Sequence, residues 1–564
     1  MSLAQLKKHV AQAVGKTYGR DLDLGRFEVE RTSGSDYGDF ATNAALVYAK
    51  ELKRPPRQLA EDLAEELRQS TAYLTHVEVA GPGFINMSVS DSFVCELAKT
   101  SPSFHPTGYS DQVIVVEYSD PNPFKVLHVG HLYTSVVGDA IANLIRAAGG
   151  RVHPVNFGGD VGLHVARAMW AISRELGGML PDGLEEIKPD QRSTWMAKCY
   201  VAGTKAYEDD DSARQAIIDL NKQIYAIHEN SDHDSPTARV YWTCRQWSYD
   251  YFDRFYARIG STFEKYYPES QTTPLGLEIV RRETAKGVYA ESQGAIIFDG
   301  EPYGLHARVF ITSQGLPTYE AKDVGLIAAK WRDYHFDRSV IITANDIIDY
   351  MKVVLKSIEQ FAPEMALRTT HITHGNVKLA GGTKMSSRKG NFIGATDVLD
   401  LAEAASKREN GQADDTTVLG AVKYAFLRAR LGADIVYLPE ESVSLEGNSG
   451  PYLQYAHARA RSILRKAGNG TSGTTLSELD AAERAFAMKI GEYPEVLQKS
   501  VNELLPHHIC TYLYETAQIF NRFYEGHRVM GDPRQEQRLI LVRLYADVLK
   551  SGLNLLGITA PEQM

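Results

Sequence analysis

The chain of 564 residues is several times longer than a usual domain of about 100–200 residues, which predicts three or more domains with separate cores. Hydrophobic residues make up 43% of it, but no run approaches the roughly 18–20 consecutive apolar residues of a membrane span, and the first residues do not form a secretory signal. The net charge of −10 gives no overall attraction for a polyanion. The four widely spaced cysteines argue against a disulfide framework or a thiolate zinc site. With neither a membrane span nor a secretory signal, we expect a cytoplasmic protein.

Residues 1–105 are predicted to form a small α+β domain. LAQLKKHVAQAV at 3–14 and RQLAEDLAEELRQS at 57–70 carry apolar residues at helical spacing. YLTHVEVAGPGFINMSV at 73–89 alternates like a pair of strands that is interrupted at Gly81-Pro82-Gly83.

A βαβ unit is predicted next, within an α/β domain that covers residues 106–414. SDQVIVVEYSD is a buried strand, the amphipathic helix after it ends at Gly149-Gly150, and RVHPVNFGG at 151–159 is a second strand. A mainly helical insertion follows at about 165–270. Strand-like runs then return in GAIIFDG, HARVFITS and RSVIITAND, so we expect a parallel sheet that is split in the sequence.

Residues 415–564 are predicted to be helical throughout and to form an all-α bundle, with a linker rich in Gly, Ser and Thr at 468–475. The bundle contains a local cluster of basic residues in HARARSILRK, at 457–466. Such a cluster serves either as a track for phosphates or as an ordinary solvated helix face.

Two histidines lie at the junction between the first strand of the βαβ unit and its helix. Unpaired helix N–H groups and the positive end of the helix dipole favour phosphate at such a junction. His128 and His131 could donate hydrogen bonds to phosphate oxygens, while Gly130 lets the backbone approach a ligand. A pair of structural histidines remains an alternative, as does a metal site, although no third ligand lies at a recognised zinc spacing.

A glycine-flanked basic loop, LAGGTKMSSRKGNF, occupies residues 379–392. Lys384, Arg388 and Lys389 could clamp the outer phosphates of a nucleotide. Together with the segment His128-Val129-Gly130-His131, this loop resembles the signature pair of the class I aminoacyl-tRNA synthetases. The resemblance implies a Rossmann-type catalytic domain that binds ATP.

Further motifs make the resemblance closest to the arginyl-tRNA synthetase family, over essentially the whole chain. They occur in the family's order and are GDFATNAAL (38–46), AGPGFIN (80–86), PNPFKVLHVGHL (121–132), LPTYEAKDVG (316–325), EGNSGPYLQYAHARARSILRK (446–466), IFNRFYE (519–525) and LNLLGITAPEQM (553–564). The resemblance implies an N-terminal domain that contacts the tRNA elbow and a C-terminal anticodon-binding bundle. It implies ligation of L-arginine to tRNA(Arg) through an arginyl-adenylate, with AMP and pyrophosphate as products.

An arginine substrate fits the acidic residues near these motifs, because a guanidinium is permanently charged and needs carboxylate acceptors. By resemblance, the arginine-binding residues are Glu117, Asn122, Tyr319, Asp323 and Asn345. The ordinary alternative is that Tyr319 is a core aromatic residue and Asp323 a helix cap.

The resemblance also assigns an ATP site. Its residues are His128, Gly130, His131, Gly159, Asp160, Lys384, Met385, Ser386, Ser387 and Arg388. Catalysis is assigned to His128, His131, Lys125 and Lys384. Mg²⁺ should accompany ATP, since magnesium prefers substrate phosphates to an all-protein cage, and no structural metal is expected.

Several positions depart from the common pattern of the family. Ser387 stands where a second loop lysine is usual, and Lys125, just before the histidine motif, is expected to replace that lysine. The other departures, which affect the predicted geometry of the ATP and arginine sites, are Asp120, Tyr133, Val161 and His164.

Contacts with tRNA are expected at both ends of the chain. The assigned residues are Phe40, Asn43, Tyr452, Tyr455, Arg459 and Arg461. Aromatic rings can stack on splayed bases and arginines can pair with phosphates, although aromatic residues at helical spacing also form bundle cores. We expect a monomer that has no membrane partner.

Two other functions remain as alternatives. A small-substrate nucleotidyltransferase shares the H-x-G-H motif and the nucleotide fold, but it is usually a short chain without a C-terminal bundle. A non-catalytic tRNA-binding paralogue should have lost its phosphate-binding residues, whereas Lys125, His128, His131 and Lys384 are all present.

Overall fold

The N-terminal part folds into a four-stranded antiparallel sheet that is covered by helices. The computed structural model describes residues 3–19, 23, 25–32, 37–379, 393–468 and 475–564. The strands, in the sheet order β1-β2-β4-β3, and the helices are β1 (Val29–Arg31), β2 (Phe40–Thr42), β3 (Leu74–Ala80), β4 (Phe84–Val89), α1 (Leu3–Tyr18), α2 (Ala44–Leu52), α3 (Pro56–Ser70) and α4 (Asp91–Thr100). The apolar stripe of α3, which includes Leu59, Leu63 and Leu67, is fully buried, as its helical spacing predicts.

The central part is an α/β domain with helices on both sides of a parallel sheet. Its strands are β5 (Val113–Glu117), β6 (Arg151–Gly158), β7 (Lys265–Pro268), β8 (Ala290–Ser292), β9 (Ala295–Phe298), β10 (Arg308–Ile311), β11 (Arg338–Ala344), β12 (Thr369–His374) and β13 (Val377–Leu379), followed by β14 (Ile435–Tyr437). Its helices are α5 (Val129–Ala147), α6 (Leu163–Glu175), α7 (Arg192–Asp209), α8 (Asp211–Glu229), α9 (Pro236–Ile259), α10 (Glu269–Thr284), α11 (Tyr319–Tyr334), α12 (Ile348–Glu359) and α13 (Pro363–Leu367).

The parallel sheet has the strand order β12-β11-β5-β6-β7. The chain runs outward from β5 through β6 to β7 on one side, and through β11 and β12 on the other side. The strand order therefore reverses between β5 and β11. In open α/β sheets, ligands bind beyond the carboxyl ends of the strands at this switch point.

Four strand assignments from the sequence need correction. GAIIFDG and HARVFITS were expected in the parallel sheet, but they form β9 and β10 of a separate antiparallel sheet with the order β10-β9-β8. A two-residue connection joins β8 to β9, and such a short turn can only link antiparallel strands. Strand β7 pairs with β6 although it lies within the predicted insertion, and β14 pairs with β13 within the region that was predicted to be entirely helical.

The C-terminal part is a helical bundle. Its helices are α14 (Ala395–Asn410), α15 (Asp415–Leu427), α16 (Pro439–Ser442), α17 (Gly450–Ala467), α18 (Ala481–Ile490), α19 (Tyr493–Glu503), α20 (His507–Gly526) and α21 (Gln535–Leu555). Large aromatic side chains such as Phe486, Phe520 and Tyr545 fill its core. The predicted multidomain fold class, with an α+β domain, an α/β domain and an all-α bundle, is confirmed. Among the helices described, none is long and apolar enough to cross a membrane.

Two arginines join the N-terminal domain to the bundle. Arg484 of α18 donates to both carboxylate oxygens of Asp39, each at 2.8 Å, and to Asp91 at 3.2 Å. Arg31 of β1 donates to Glu495 of α19 at 3.0 Å. The bidentate geometry fixes orientation as well as distance, so these contacts hold the N-terminal domain and the bundle in one arrangement.

Two glycines allow α10 and α11 to pack closely against each other. A Cβ atom on Gly276 would lie 2.0 Å from the carbonyl oxygen of Ala321, and one on Gly325 would lie 2.1 Å from that of Thr272. Both obstacles are backbone atoms, which cannot move aside as a flexible side chain can. Helix α11 carries Tyr319 and Asp323, so this contact also sets the position of the predicted arginine site.

We expect Gly276→Ala to destabilise the protein by about 1–3 kcal/mol, the usual cost of overpacking a close contact. The measurement is the midpoint of thermal unfolding. Gly15→Ala is the matched control, because a Cβ atom on Gly15 within α1 meets nothing within 4 Å and should stabilise the helix by about 0.5–1 kcal/mol. Equal midpoints for Gly276→Ala and the wild type would contradict the packing argument.

Candidate active site

The two histidines of the H-x-G-H motif cap the N-terminus of α5, directly beyond the carboxyl end of β5. His128 is the N-cap, and its Nδ1 accepts a hydrogen bond from the backbone N–H of Gly130 at 3.1 Å. The Nδ1 of His131 accepts from the backbone N–H of His128, also at 3.1 Å. The two rings stack with their centroids 3.8 Å apart. The motif is therefore a reciprocal cap as well as a pair of side chains that face the switch point.

Both histidines are neutral at physiological pH. Burial, reinforced by the charge of Lys125, lowers the pKa of His128 to about 4, and burial lowers the pKa of His131 well below its ordinary value. A neutral imidazole has one donor and one acceptor, and Nδ1 is the acceptor in both rings. The proton of each ring is therefore on Nε2. Each Nε2–H is a donor for a ligand oxygen and adds no charge of its own.

Gly130 is needed for the shape of this cap. A Cβ atom at this position would lie 2.8 Å from Cε1 and 2.9 Å from Nδ1 of His128. The sequence predicted that the glycine lets the backbone approach a ligand. The structure gives a more local reason, because the glycine makes room for the neighbouring histidine ring.

A cavity of about 220 Å³ opens beside the two histidines. Asn122, Lys125 and Val126 line one wall, and the insertion helix α7 closes the other wall with Ala197, Tyr200 and Val201. The Nζ of Lys125 lies 4.6 Å from the ring centroid of Tyr200, within cation–π range. The volume is below the roughly 300–1,000 Å³ of usual ligand pockets, so this cavity accommodates only part of a nucleotide.

The turn after β6 is held from within the protein. The N–H of Gly159 donates to Oδ1 of Asn122 at 2.8 Å, and a Cβ atom on Gly159 would lie 2.7 Å from that oxygen. The side chain of Asp160 is fully buried and accepts from Ser270 and Arg245 at 2.7 and 2.9 Å. Its carboxylate thus braces the end of β6 against α9 and α10, and the assignment of Gly159 and Asp160 to an ATP site stays a prediction.

The predicted arginine residues meet at the other side of the switch point. Glu117, the last residue of β5, is buried and forms an ion pair with the fully buried Lys330 of α11. Asp323, two turns earlier on the same helix, accepts a hydrogen bond from the hydroxyl of Tyr350 on α12. Asp120 accepts from the backbone N–H of Phe157 at 2.8 Å.

These three carboxyl groups share one ammonium partner. Burial and the neighbouring charge of Glu117 raise the pKa of Asp120 well above its ordinary value. Burial raises the pKa of Asp323 to about 7, although the hydrogen bond from Tyr350 opposes this effect. A cluster with more carboxyl groups than cations stabilises an incoming cation, and a guanidinium would in turn favour the ionised forms. Glu117, Asp120 and Asp323 thus form an acidic site of the right sign for arginine.

Tyr319 lies beside this acidic site, whereas Asn345 bonds a residue between α15 and β14. Tyr319 is 64% exposed and is one helical turn from Asp323, so both side chains are on one face of α11. Lys322, whose Nζ is 5.2 Å from the ring centroid of Tyr319, is paired with Glu269 at 2.5 Å. Asn345 follows β11 and donates to the carbonyl oxygen of Gly432 at 2.8 Å. The exposed ring of Tyr319 is not the core residue that the alternative reading required.

The predicted basic loop that contains Lys384 is not among the residues that the structure describes. Lys384, Met385, Ser386, Ser387 and Arg388 lie outside the described residues, and their assignments stay predictions. Within the ranges that the structure covers, no group of three or more His, Cys, Asp or Glu side chains is arranged to hold a metal ion. All four cysteines are buried and unpaired.

The predicted tRNA-binding residues fall into two groups. Phe40 is fully buried in the N-terminal sheet, which corrects the expectation that its ring contacts tRNA, whereas Asn43 is partly buried and accepts from the N–H of Glu28 at 2.8 Å. In the bundle, Tyr455 is 43% exposed beside a cavity of about 410 Å³ that the C-terminal Met564 also lines.

The other bundle residues are engaged by neighbours. The hydroxyl of Tyr452 accepts from Asn521 at 2.8 Å. The guanidinium of Arg459 lies 4.6 Å from the ring centroid of Tyr524. Arg461 donates to Asp547 at 2.8 Å. These contacts orient the side chains along α17, and a role for them in RNA binding stays a prediction.

Family models match all three parts of the chain. Residues 97–432 match the catalytic domain of tRNA synthetases class I (R). The chain belongs to the arginyl-tRNA synthetase family. Residues 4–89 match the arginyl tRNA synthetase N terminal domain, and residues 453–564 match the DALR anticodon binding domain. The predicted family and enzyme class are confirmed, and ATP-dependent ligation of arginine to tRNA is the activity of this family.

Relatives are similar to the chain over nearly their whole length. An arginine–tRNA ligase of Frankia casuarinae is 32% identical, with 94% of each chain covered. One from Flavobacterium psychrophilum is 28% identical, with 96% of this chain and 97% of the relative covered. The solved arginyl-tRNA synthetase of Thermus thermophilus has a TM-score of 0.81 at 24% identity, covers both chains completely, and thereby shows the fold.

Sequence reasoning missed several residues that shape the site. Tyr200 and Tyr350 are on helices whose contacts with the site cannot be read from spacing. Lys330 did leave a signal, because it lies seven residues after Asp323 and interrupts the apolar face of a helix that is otherwise buried. A buried lysine requires a carboxylate partner, and Glu117 at the end of a buried strand was the available one.

Proposed function

We propose that arginine is activated in the cavity at the N-terminus of α5, and that the paired imidazoles of His128 and His131 hold the α-phosphate of ATP. The observation that supports this proposal most strongly is the fixed tautomer of the two rings, because each Nδ1 accepts from the backbone and each Nε2 carries the proton. Two preorganised donors at a helix N-terminus stabilise the charge that builds up on the α-phosphate in the transition state.

The reaction needs no nucleophile from the protein. The carboxylate of arginine attacks the α-phosphorus, the new carboxyl–phosphorus bond forms, and the bond to the bridging oxygen breaks, so pyrophosphate leaves with the electron pair. Mg²⁺ enters bound to the phosphates of ATP. Lys125, and Lys384 from the second loop, neutralise the charge on the leaving pyrophosphate. The acyl group then moves to the terminal ribose of the tRNA, and AMP is released.

The acidic site of β5 and α11 holds the amino acid. Asp323 accepts from the guanidinium, and Tyr319 packs against the side chain from the same face of α11. Glu117 stabilises the α-ammonium through its electrostatic field while it remains paired with Lys330. Asn122 and Asn345 line the two ends of the site.

The N-terminal domain and the bundle bind tRNA(Arg). Tyr455 and Arg459 stack on anticodon-loop bases, Tyr452 and Arg461 support them on α17, and Asn43 contacts the elbow. Phe40 supports this surface from the core of the N-terminal sheet. We place the enzyme in the cytoplasm and expect it to act as a monomer.

Adenylate formation should depend on tRNA. The cavity is too small for a whole nucleotide, and Ser387 leaves the second loop one lysine short of the common family pattern. Bound tRNA would complete the site. The measurement is the exchange of radioactive pyrophosphate into ATP for each of the twenty amino acids, with and without tRNA. Of the twenty amino acids, we expect only arginine to support exchange, and only when tRNA is present.

The same assay separates the alternatives. Rapid exchange with arginine and ATP in the absence of tRNA would contradict the tRNA requirement but not the proposed reaction. Nucleotide transfer to a small acceptor without arginine would favour a nucleotidyltransferase. Tight binding of tRNA(Arg) without any exchange would favour a non-catalytic paralogue.

A further inference from the structure

The carboxyl group of Asp323 is held by a side chain from a different helix. The hydroxyl of Tyr350 on α12 donates to Oδ2 of Asp323 on α11. Tyr350 is itself fixed, since the guanidinium of Arg308 lies 5.5 Å from its ring centroid and is anchored to Glu320 at 3.1 Å. Burial raises the pKa of the Tyr350 hydroxyl well above 10, so this group remains a donor at every pH at which the enzyme is studied.

Asp323 needs such a donor because its surroundings oppose ionisation. The titratable and charged groups that face it come from four other segments and from its own helix, and they are Glu117 of β5, Asp120 of the following loop, Glu269 of α10, Tyr350 of α12, and Lys330 of α11. The nearest cations are already paired, Lys330 with Glu117 and Lys322 with Glu269. Tyr350 is therefore the group that bonds directly to the carboxylate and favours its charged form.

We propose that Tyr350 is a positioning residue for arginine specificity: it keeps Asp323 ionised and turns Oδ1 of that carboxylate toward the guanidinium of the substrate. The proposal rests on the proposed role of Asp323 as the guanidinium acceptor. A hydrogen bond to Oδ2 fixes the rotation of the carboxylate about its Cβ–Cγ bond, so the other oxygen faces a single direction. Tyr350 acts on the substrate only through Asp323.

A pH dependence of arginine binding follows from this arrangement. Burial raises the pKa of Asp323 to about 7, so the charged acceptor is present above pH 7 and is lost as the pH falls through that value. The hydrogen bond from the Tyr350 hydroxyl lowers the pKa of Asp323. Removing this hydroxyl must therefore move the midpoint of the pH dependence of arginine binding to higher pH. Below the midpoint, affinity should fall by about tenfold per pH unit, the limit for uptake of one proton.

The test is Tyr350→Phe, which keeps the ring beneath Arg308 and deletes only the hydroxyl. Binding of L-arginine is measured by titration calorimetry between pH 5.5 and 8.5 without ATP, whose phosphates would titrate in the same range. We expect the midpoint to rise and the affinity at pH 7 to fall on the order of tenfold, as for the loss of a hydrogen bond to a charged group. Turnover at saturating arginine should change much less than the KM for arginine.

Tyr289→Phe is the matched control. Its hydroxyl is also buried, in the same domain, but it bonds the neutral Ser357 at 3.1 Å. The proposal predicts an unchanged midpoint for this variant. If the midpoint of the pH dependence in Tyr350→Phe equals that of the wild type, the positioning role is overturned. An equal shift of the midpoint in both variants would also overturn it, because such a shift would reflect a general loss of packing.

Asp323→Asn distinguishes failure of this inference from failure of the arginine site itself. If Asp323→Asn abolishes the pH dependence and weakens binding while Tyr350→Phe leaves the midpoint in place, Asp323 is the acceptor and Tyr350 has no role in holding it. If Asp323→Asn binds arginine as the wild type does, the proposed site is wrong and the inference about Tyr350 fails with it.

Discussion

Lys125→Ala is expected to lower kcat by about a hundredfold or more, with a smaller change in the KM for arginine. This is the scale for losing one preorganised donor that stabilises charge in a transition state. The side chain lies at the wall of the cavity beside His128, next to the imidazoles that are proposed to hold the α-phosphate. We therefore expect its charge to act mainly on the chemical step.

The ring of Tyr200 prepares Lys125 for this role. A lysine side chain carries about 2 kcal/mol of rotamer entropy, and much of this cost is met before the substrate arrives if the ammonium already lies over an aromatic face. The contact also ties the insertion helix α7 to the loop that precedes the histidine motif. Movement of α7 when tRNA binds would then move Lys125, which connects this residue to the expected tRNA requirement.

Lys198→Ala is the control for Lys125→Ala. Lys198 is an exposed lysine on α7, two residues before Tyr200, and it does not line the cavity. Its removal takes away the same charge from the helix that packs against Lys125 but should leave turnover within about twofold of the wild type, since screened surface charges contribute little. Near wild-type turnover in Lys125→Ala would remove this lysine from the mechanism.

The parts of the site that could be predicted are those encoded by short contiguous stretches. A buried strand followed by His128-Val129-Gly130-His131 and an amphipathic helix specifies a helix N-terminus with two imidazoles, and the structure has this arrangement. The geometry of this helix cap depends on His128 and His131, which are three positions apart. Local spacing is sufficient to define such a cap, although the room that Gly130 leaves for the ring of His128 became evident only from the structure.

The parts that could not be predicted depend on contacts between distant segments. Strands β9 and β10 have the apolar character of sheet strands, but only pairing decides whether such runs join a parallel sheet or form their own hairpin. Tyr350 follows Asp323 by 27 residues, and nothing in DIIDYMKVV indicates that its hydroxyl faces α11. The resemblance assigned Asp160 to the ATP site, and the sequence did not indicate that its carboxylate would accept hydrogen bonds from Arg245 and Ser270.

Asp323→Asn should weaken arginine binding by roughly 2–5 kcal/mol, the range for truncating a buried charged partner. The substitution keeps the shape of the side chain but replaces a charged acceptor with a neutral amide. If the amide oxygen continues to accept from Tyr350, the NH₂ group faces the donors of the guanidinium. If the amide rotates, its NH₂ faces the Tyr350 hydroxyl, which must then find another acceptor. Neither orientation satisfies all of these groups.

Citrulline provides the contrast that isolates the charge. It is nearly isosteric with arginine but neutral, so it gains no charge-assisted hydrogen bond from Asp323 and should lose much less affinity in the variant. Both compounds are compared as competitors in tRNA charging at pH 8, where a carboxyl group whose pKa is about 7 is mostly ionised. The preference for arginine over citrulline should shrink in Asp323→Asn by the factor lost in arginine binding divided by the smaller factor lost in citrulline binding.

Asp349→Asn tests whether any loss of a carboxylate near the site has this effect. Asp349 is exposed on α12, next to Tyr350 in sequence, and pairs with Lys352 at 3.0 Å. Because solvent screens its charge, this variant should keep the wild-type preference for arginine. If Asp323→Asn stays folded and also keeps that preference, the guanidinium is recognised elsewhere. Asp120 would then be the next residue to test, because its carboxyl group belongs to the same acidic site, where burial and Glu117 raise its pKa and a cation would favour its ionised form.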